Sequence, residues 1–490
     1  MPLLAACLII VSCGVDIPAE PEEVKLSQEI RIEVRDAFRW KTVPALLALT
    51  ADGHGNRAVL PDSIRTEFDG IARVPRVVPC AAASVLSRSR AVFRVYFGDG
   101  RPVKAVLRPG EKKIVFAQGE YVKCAVLSVS DSRRRPSAEG YGHVVVFEAG
   151  WHCAGNDPRI TEDESGNPVV RVGDDTAVIL EAGAHVCAAF DVCGSAHVKI
   201  CGPGWINLLD RCQGAADGFR GELWGAFRKG ALPAVYIHRG AMDVIVDGPG
   251  IIADFRAICG RCSEDITVRG VTILTSAANG DGLNFINCRR VSADGCLVHS
   301  QDDCVALFNN YDSIRHLWDS DFEWPAVTDD VSVRNCTLWT TCRPFCIGGH
   351  GTGCVSPRDS VKRISVRGCK VYQAYELSGD RSEKALKRLA RWGGTFRVLS
   401  QSGQSVRDIE FSDIDCFWIP GYLGQPFHLC VRDADGTSYG EGAGYEIDGV
   451  SFRDIRFHDT PSFHLPPYLH GTKKISFSNI HPNGLSLQYE

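Results

Sequence analysis

The sequence predicts an all-β chain built as a parallel β-helix with an N-terminal β-sandwich domain. Three observations carry this. A six-residue pattern of apolar, polar, apolar, two polar or glycine, then cysteine or an aliphatic recurs from Ile266, Val291, Val331, Ile364, Ile409, Val450 and Ile475. Weaker copies start at Val198 and Val244, and from Val244 the intervals are 22, 25, 40, 33, 45, 41 and 25 residues. Glycine is abundant (49) and methionine scarce (2), and many glycines with many β-branched residues favour strands and tight turns over a helical bundle. Residues 27 to 130 read as short alternating strands broken by turns.

Residues 1–13 come first. Leu3 to Val11 is a short apolar stretch, and Ile10-Val11-Ser12-Cys13 is similar to a bacterial lipobox. Acidic residues follow, and the first basic residue is Lys25. The stretch is too short to span a bilayer and sits where a signal peptide belongs. It predicts export and a lipid anchor at Cys13, as an outer-membrane or cell-surface lipoprotein facing the periplasm or the exterior.

Residues 24–135 are the sandwich. Ile30–Val34, Ala91–Phe97 and Lys113–Phe116 are its clearest strands, and Gly98-Asp99-Gly100 is a turn between two runs. Ser130 to Gly140 is polar and without periodicity, and reads as the linker. Residues 141–490 are the β-helix. A period in the low twenties with longer insertions fits one coil of several short strands, and a coil buries its apolar side chains only against its neighbours. A propeller would need a steadier period near forty residues. The largest insertions are 309–330, with Trp318 and Trp324, and 375–394. In the latter, Ser382 to Trp392 has helical apolar spacing and several basic residues.

Composition excludes some classes. Lys+Arg is 54 and Asp+Glu 59, a net charge of −5, which argues against a nucleic-acid partner. No apolar run reaches 18 residues, so no helix spans a membrane. A monomer is expected. Of the 21 cysteines, Cys288, Cys296, Cys304, Cys336, Cys369 and Cys416 fall in apolar runs and read as small buried hydrophobes. Cys259 and Cys262 form a single CxxC with no second pair or histidines at metal spacing. A surface disulfide or two free thiols is expected there rather than zinc, and no metal or cofactor is expected overall.

Three segments concentrate polar groups that a core rung does not need: Asn279-Gly280-Asp281-Gly282, Ser300-Gln301-Asp302-Asp303-Cys304 and Gly348-Gly349-His350-Gly351. Asp281 lies 15 residues after its repeat start, and Asp302 and Asp303 lie 11 and 12 after theirs. Stacked coils about 4.8 Å apart would bring three carboxylates within roughly 5–10 Å of one another. Like charges so close repel, and at least one should hold a proton near neutral pH. A protonated carboxyl facing an ionised one is the equipment of glycoside hydrolysis. Calcium binding is the competing reading of an Asp-Asp pair, and a structural role that of His350 in a glycine-rich turn.

These segments, in this order, resemble glycoside hydrolase family 28, the polygalacturonase-like enzymes of the pectin-lyase-like right-handed parallel β-helix superfamily. The family's Asn-Thr-Asp motif is matched by Asn279-Gly280-Asp281, with Gly for Thr. Its Asp-Asp motif is matched by Asp302-Asp303, and its Gly-His-Gly motif by Gly349-His350-Gly351. Its Arg-Ile-Lys motif falls on Arg397-Val398-Leu399, where leucine replaces lysine. The resemblance covers residues 141–490 and implies inverting, cofactor-free hydrolysis of a polysaccharide or oligosaccharide. It makes Asp302 the general acid, Asp281 and Asp303 the groups activating water, and His350 their support. Asn279, Gln301 and Arg397 would bind substrate. The lysine's loss weakens the expected grip on a galacturonate carboxylate, a loss that the basic residues of the 375–394 insertion would have to cover. The appended sandwich is similar to the dextranases, which act on a neutral glucan. Trp318, Trp324, Trp392 and Trp418 are candidates to stack on sugar or to pack in loops. A β-helix lyase using Ca²⁺ and a non-catalytic glycan-binding protein are the remaining alternatives.

Overall fold

The computed structural model describes residues 15–24, 26–27, 29–49, 80–117, 120–134, 136–208, 232–253, 255–275, 280–300, 302–309, 322–340, 342–349, 360–373, 394–401, 404–418, 426–432, 446–458 and 468–481. Cys13, where an anchor is expected, Trp318, Trp392, the basic insertion, Asn279, Gln301 and His350 lie outside the described residues, as does the side chain of Trp418.

All described secondary structure is β-strand. Near the N-terminus, two sheets face each other. One contains Val15–Asp16, Leu46–Leu49, Cys80–Ser87, Lys112–Ala117 and Glu120–Asp131; the other contains Ile30–Asp36, Arg39–Val43, Ala91–Phe97 and Val103–Leu107. Alternate residues of both, including Ile32, Val34, Val85, Phe93 and Val95, meet in one apolar core. This is the period-2 pattern of a half-buried strand. Pairing is antiparallel except where Cys80–Ser87 runs parallel to Glu120–Asp131.

From His143 onward the chain winds as a parallel β-helix. Two sheets of 19 and 11 strands run its length. Most coils give two strands to the longer sheet and one to the shorter; from Ser405–Trp418 onward the two merge into one long strand per coil. In one coil these are Glu264–Arg269, Thr272–Thr275 and Leu283–Ile286. The next coil repeats them one strand spacing away as Arg289–Asp294, Leu297–Ser300 and Val305–Phe308. The right hand is the one that parallel strands joined by crossovers adopt.

The sequence repeat is the first strand of the coil and the turn after it. Its apolar positions, such as Ile266, Val268 and Val271, point inward and stack into a continuous core. Its fifth position is Gly270, Gly295, Asn335, Gly368, Asp413, Asp454 or Asn479, and each has φ between 52° and 68°. Only glycine, asparagine and aspartate visit that left-handed region readily, which explains the choice of residue. The six cysteines of the apolar runs are all buried in this core as free thiols. Cys259 and Cys262 are also free thiols, but both are buried, so the CxxC is not at the surface as a disulfide there would require.

The sandwich rests on the longer sheet of the helix. Val24, Leu46, Ile114 and Val126 pack against Trp205, Ile252, Leu274, Leu297 and Trp339. Lys112 crosses this contact to donate to Thr272 Oγ1 at 2.8 Å.

Candidate active site

Two of the polar segments, those of Asp281 and of Asp302-Asp303, fall at one place in the coil, the turn between its second and third strands, whereas Gly348 of the third segment ends the third strand itself. Ile258 pairs with Leu283, Leu283 with Val305, and Val305 with Phe345. Two residues upstream, the same register stacks Arg256, Asp281, Asp303 and Arg343 in one column. Backbone bonds hold it: Ala257 N–H donates to the Asp281 carbonyl, Gly282 N–H to that of Asp303 and Cys304 N–H to that of Arg343, each at 2.9 Å.

A ladder of hydroxyls fixes these turns. Thr275, Ser300 and Thr340 each end the second strand of their coil. Thr275 and Ser300 both donate to the Gly280 carbonyl. Ser300 Oγ accepts the Asp302 N–H at 3.0 Å, and Thr340 Oγ1 donates to the Asp302 carbonyl while accepting the Cys342 N–H. Gly282 lets the coils close: a Cβ there would lie 2.2 Å from Val298 and 2.8 Å from the Cys304 carbonyl oxygen.

Each acid is buried: 6% of Asp281, 8% of Asp302 and 3% of Asp303 is exposed. Asp281 accepts from Asn284 Nδ2 at 2.5 Å and lies 3.4 Å from Arg256 Nε. Asp303 accepts from Arg343 Nε at 2.5 Å, and Arg343 Nη2 lies 3.6 Å from Asp302. Burial, reinforced by the Asp302 charge and opposed by Arg256, pushes the Asp281 carboxyl up to about 7. Burial also pushes Asp303 up to about 6, against the pull of Arg343. Three carboxylates and two guanidiniums sum to −1 when all are ionised. One retained proton makes the buried cluster neutral, the state that low-dielectric surroundings favour.

Arg343 bears on the question of a bound cation. The carboxylates of Asp302 and Asp303 and the Cys342 thiol come within 4.8 Å of one another. Yet Arg343 already lies against both carboxylates, and a thiol is a poor ligand for a hard ion such as Ca²⁺.

Arg397 lies on Phe396–Gln401, paired with Cys346 on one side and His428 on the other. It is 1% exposed, and its Nη1 donates to Cys346 Sγ at 3.4 Å. The Cys346 thiol in turn hydrogen-bonds Asp303. Arg397 is thus linked to the acids through one thiol. Leu399, at the motif's lysine position, is buried against the Gly348–Gly349 backbone. Trp324 is elsewhere: its Nε1 donates to the Asn287 carbonyl at 2.7 Å, beyond the far end of Leu283–Ile286. It packs there against Phe322 and Arg289.

Sequence reasoning missed Arg256, Asn284 and Arg343. The signal was present, because Arg256, Asp303 and Arg343 each lie 12 residues after a repeat start (Val244, Val291, Val331). Asp281 lies 15 after its own because its turn is three residues longer, seven (276–282) against four (301–304).

No family model and no curated protein matches this chain. Solved structures similar to it include Dex49A from Penicillium minioluteum, at 11% identity and TM-score 0.49, covering 95% of this chain and 90% of that one. The family 28 exopolygalacturonase of Yersinia enterocolitica is similar at 11% identity and TM-score 0.43, covering 96% and 95%. The endo-xylogalacturonan hydrolase of Aspergillus tubingensis is similar at 13% identity and TM-score 0.33, covering 70% and 85%.

Proposed function

We propose that the chain is a glycoside hydrolase that cleaves a polysaccharide or its oligomers by carboxylate chemistry with inversion at the anomeric carbon. The observation that carries this is the buried column in which Asp281 and Asp303 stack between Arg256 and Arg343, with Asp302 beside them. Such a cluster keeps one proton near neutral pH and lies among groups able to give and take it. Asp302 delivers the proton to the glycosidic oxygen, and its carbonyl and N–H are pinned by Thr340 and Ser300. Asp281 and Asp303, whose carboxyls burial raises to about 7 and about 6 despite the guanidinium that each faces, orient the attacking water and, once ionised, take its proton. Arg397, next in line through Cys346, orders the far side of the site.

The sugar's charge has two readings. The motifs point to a pectic uronate. Leu399 favours a neutral glycan, because an apolar buried side chain stands where the second cation of a carboxylate clamp would be. A lyase reading fits less well, since Arg256 and Arg343 are both paired to acids and neither is placed as a base.

The test is incubation with pectic, glucan and galactan oligosaccharides, with products resolved by mass and anomeric configuration read by proton NMR. Products gaining one water, with inverted configuration, are expected. Unsaturated products or no cleavage on any glycan would overturn the reading.

A further inference from the structure

The contact between sandwich and helix contains a second cluster of chemically capable groups, outside the acids' turn. Cys80 and Cys124 are register partners on neighbouring parallel strands, so their side chains leave the sheet on the same face. That face is turned to the helix. Opposite them is His299, on Leu297–Ser300, its ring stacked on Trp339 at 3.8 Å and 6°. Both thiols and the imidazole are buried, and their ligand atoms all lie within 4.8 Å of one another. Neither ring nitrogen of His299 has a hydrogen-bond partner among the described residues. An imidazole always carries a donor, an acceptor or both, and burying it without partners is a cost that structures seldom accept.

We propose that Cys80, Cys124 and His299 form a metal site for a thiophilic divalent cation of the zinc class, joining the sandwich to the β-helix. Two thiolates and a neutral imidazole around a dication sum to zero charge, which suits a site without water on either side. Sulfur and imidazole are the donors such an ion selects. With bonds of about 2.3 Å to sulfur and about 2.1 Å to nitrogen, the three ligand atoms need to be about 3.5–3.9 Å apart, within the 4.8 Å that bounds their present separations. The site takes two ligands from one unit and one from the other. It therefore acts as a clamp: 175 residues separate Cys124 from His299 in sequence. Binding releases the two thiol protons to solvent and involves no change of oxidation state.

The test uses the full chain, purified under reducing conditions, stripped with a chelator and titrated with Co²⁺ and then Zn²⁺. One equivalent of Co²⁺ with a thiolate-to-metal charge-transfer band is expected, displaced by Zn²⁺, with Zn²⁺ raising the melting temperature. The band should vanish in Cys80→Ser and in His299→Ala. Absence of the band in the wild-type chain overturns the proposal, and this arm needs no variant to fold. So does an unchanged band in either variant, or peptide mapping that finds Cys80 and Cys124 joined as a disulfide. Hydrolytic activity is not the readout, so this result and that of the glycan panel stand apart.

Discussion

Replacing Asp281 by Asn separates a strained functional cluster from an ordinary structural ion pair. In the native chain the Asp281 carboxyl is raised from 3.8 to about 7, chiefly by burial. The folded form therefore binds the proton more tightly than the unfolded form. Its stabilising contribution is complete below pH 4 and is lost as pH rises through 7. With those two values, the loss amounts to about 1.5 kcal/mol by pH 5 and about 4 by pH 8. Asparagine keeps one carbonyl oxygen beside Asn284 and Arg256 but carries no ionisable group. Relative to wild type, Asp281→Asn should thus gain about 2–3 kcal/mol between pH 5 and pH 8, somewhat less where Asp303 takes over part of the repulsion. Urea midpoints of both proteins, measured at pH 5, 6, 7 and 8, read the difference directly. A structural ion pair with Arg256 predicts the opposite, with the variant losing about 3–5 kcal/mol at pH 8. That outcome, or parallel pH curves, would refute the charge argument on which the active-site reading rests.

Asp302→Asn should lower turnover by about 10²–10⁴-fold with circular dichroism unchanged, and equal hydrolysis by the variant would remove Asp302 as the acid. Arg343→Met takes the guanidinium from Asp303, whose carboxyl is raised to about 6 even with it present. The acidic limb of the pH–rate profile should move up by about 1–3 units, and an unmoved limb would mean that Asp303 is not the base. Gly282→Ala forces a Cβ to within 2.8 Å of the Cys304 carbonyl oxygen and 2.2 Å of Val298. It should cost about 1–3 kcal/mol in a melt and reduce kcat with it.

The helix was legible because its two signals are local. Inward apolar residues alternate along one strand, and a left-handed residue must follow it, so Gly270, Asn335 and Asp454 mark three coils without any structure. The acids were legible for the same reason, since similar phase within the repeat places Asp281 and Asp303 in equivalent turns of consecutive coils. Arg256 and Arg343 share that phase, but an arginine in a turn reads as solvated until its neighbours' burial is known. The domain contact was less legible still. His299, Trp339 and Cys124 look like ordinary strand residues, and only packing of the sandwich onto the helix brings them together.

A stacked coil repeats every side chain about 4.8 Å away, so charges on neighbouring coils must be reconciled. On the surface this chain does so by opposition: Asp247 meets Arg269, Asp265 meets Arg290, and Asp448 meets Lys474. Where like stands over like, as Arg334 over Arg367, both residues are exposed and water screens them. Asp281 over Asp303 is the contrary case, two acids in adjacent coils and buried. Arg256 and Arg343 bracket and balance that pair, but Asp302 beside the column adds a third acid, so the cluster is left one proton short of neutrality. A column selected for stability alone would alternate its signs or turn apolar, as the core beneath it does. The order Arg, Asp, Asp, Arg with a third acid beside it is what a site needs if it must hold a proton on one carboxyl, release it to a leaving group, and keep another carboxylate ionised to take one from water.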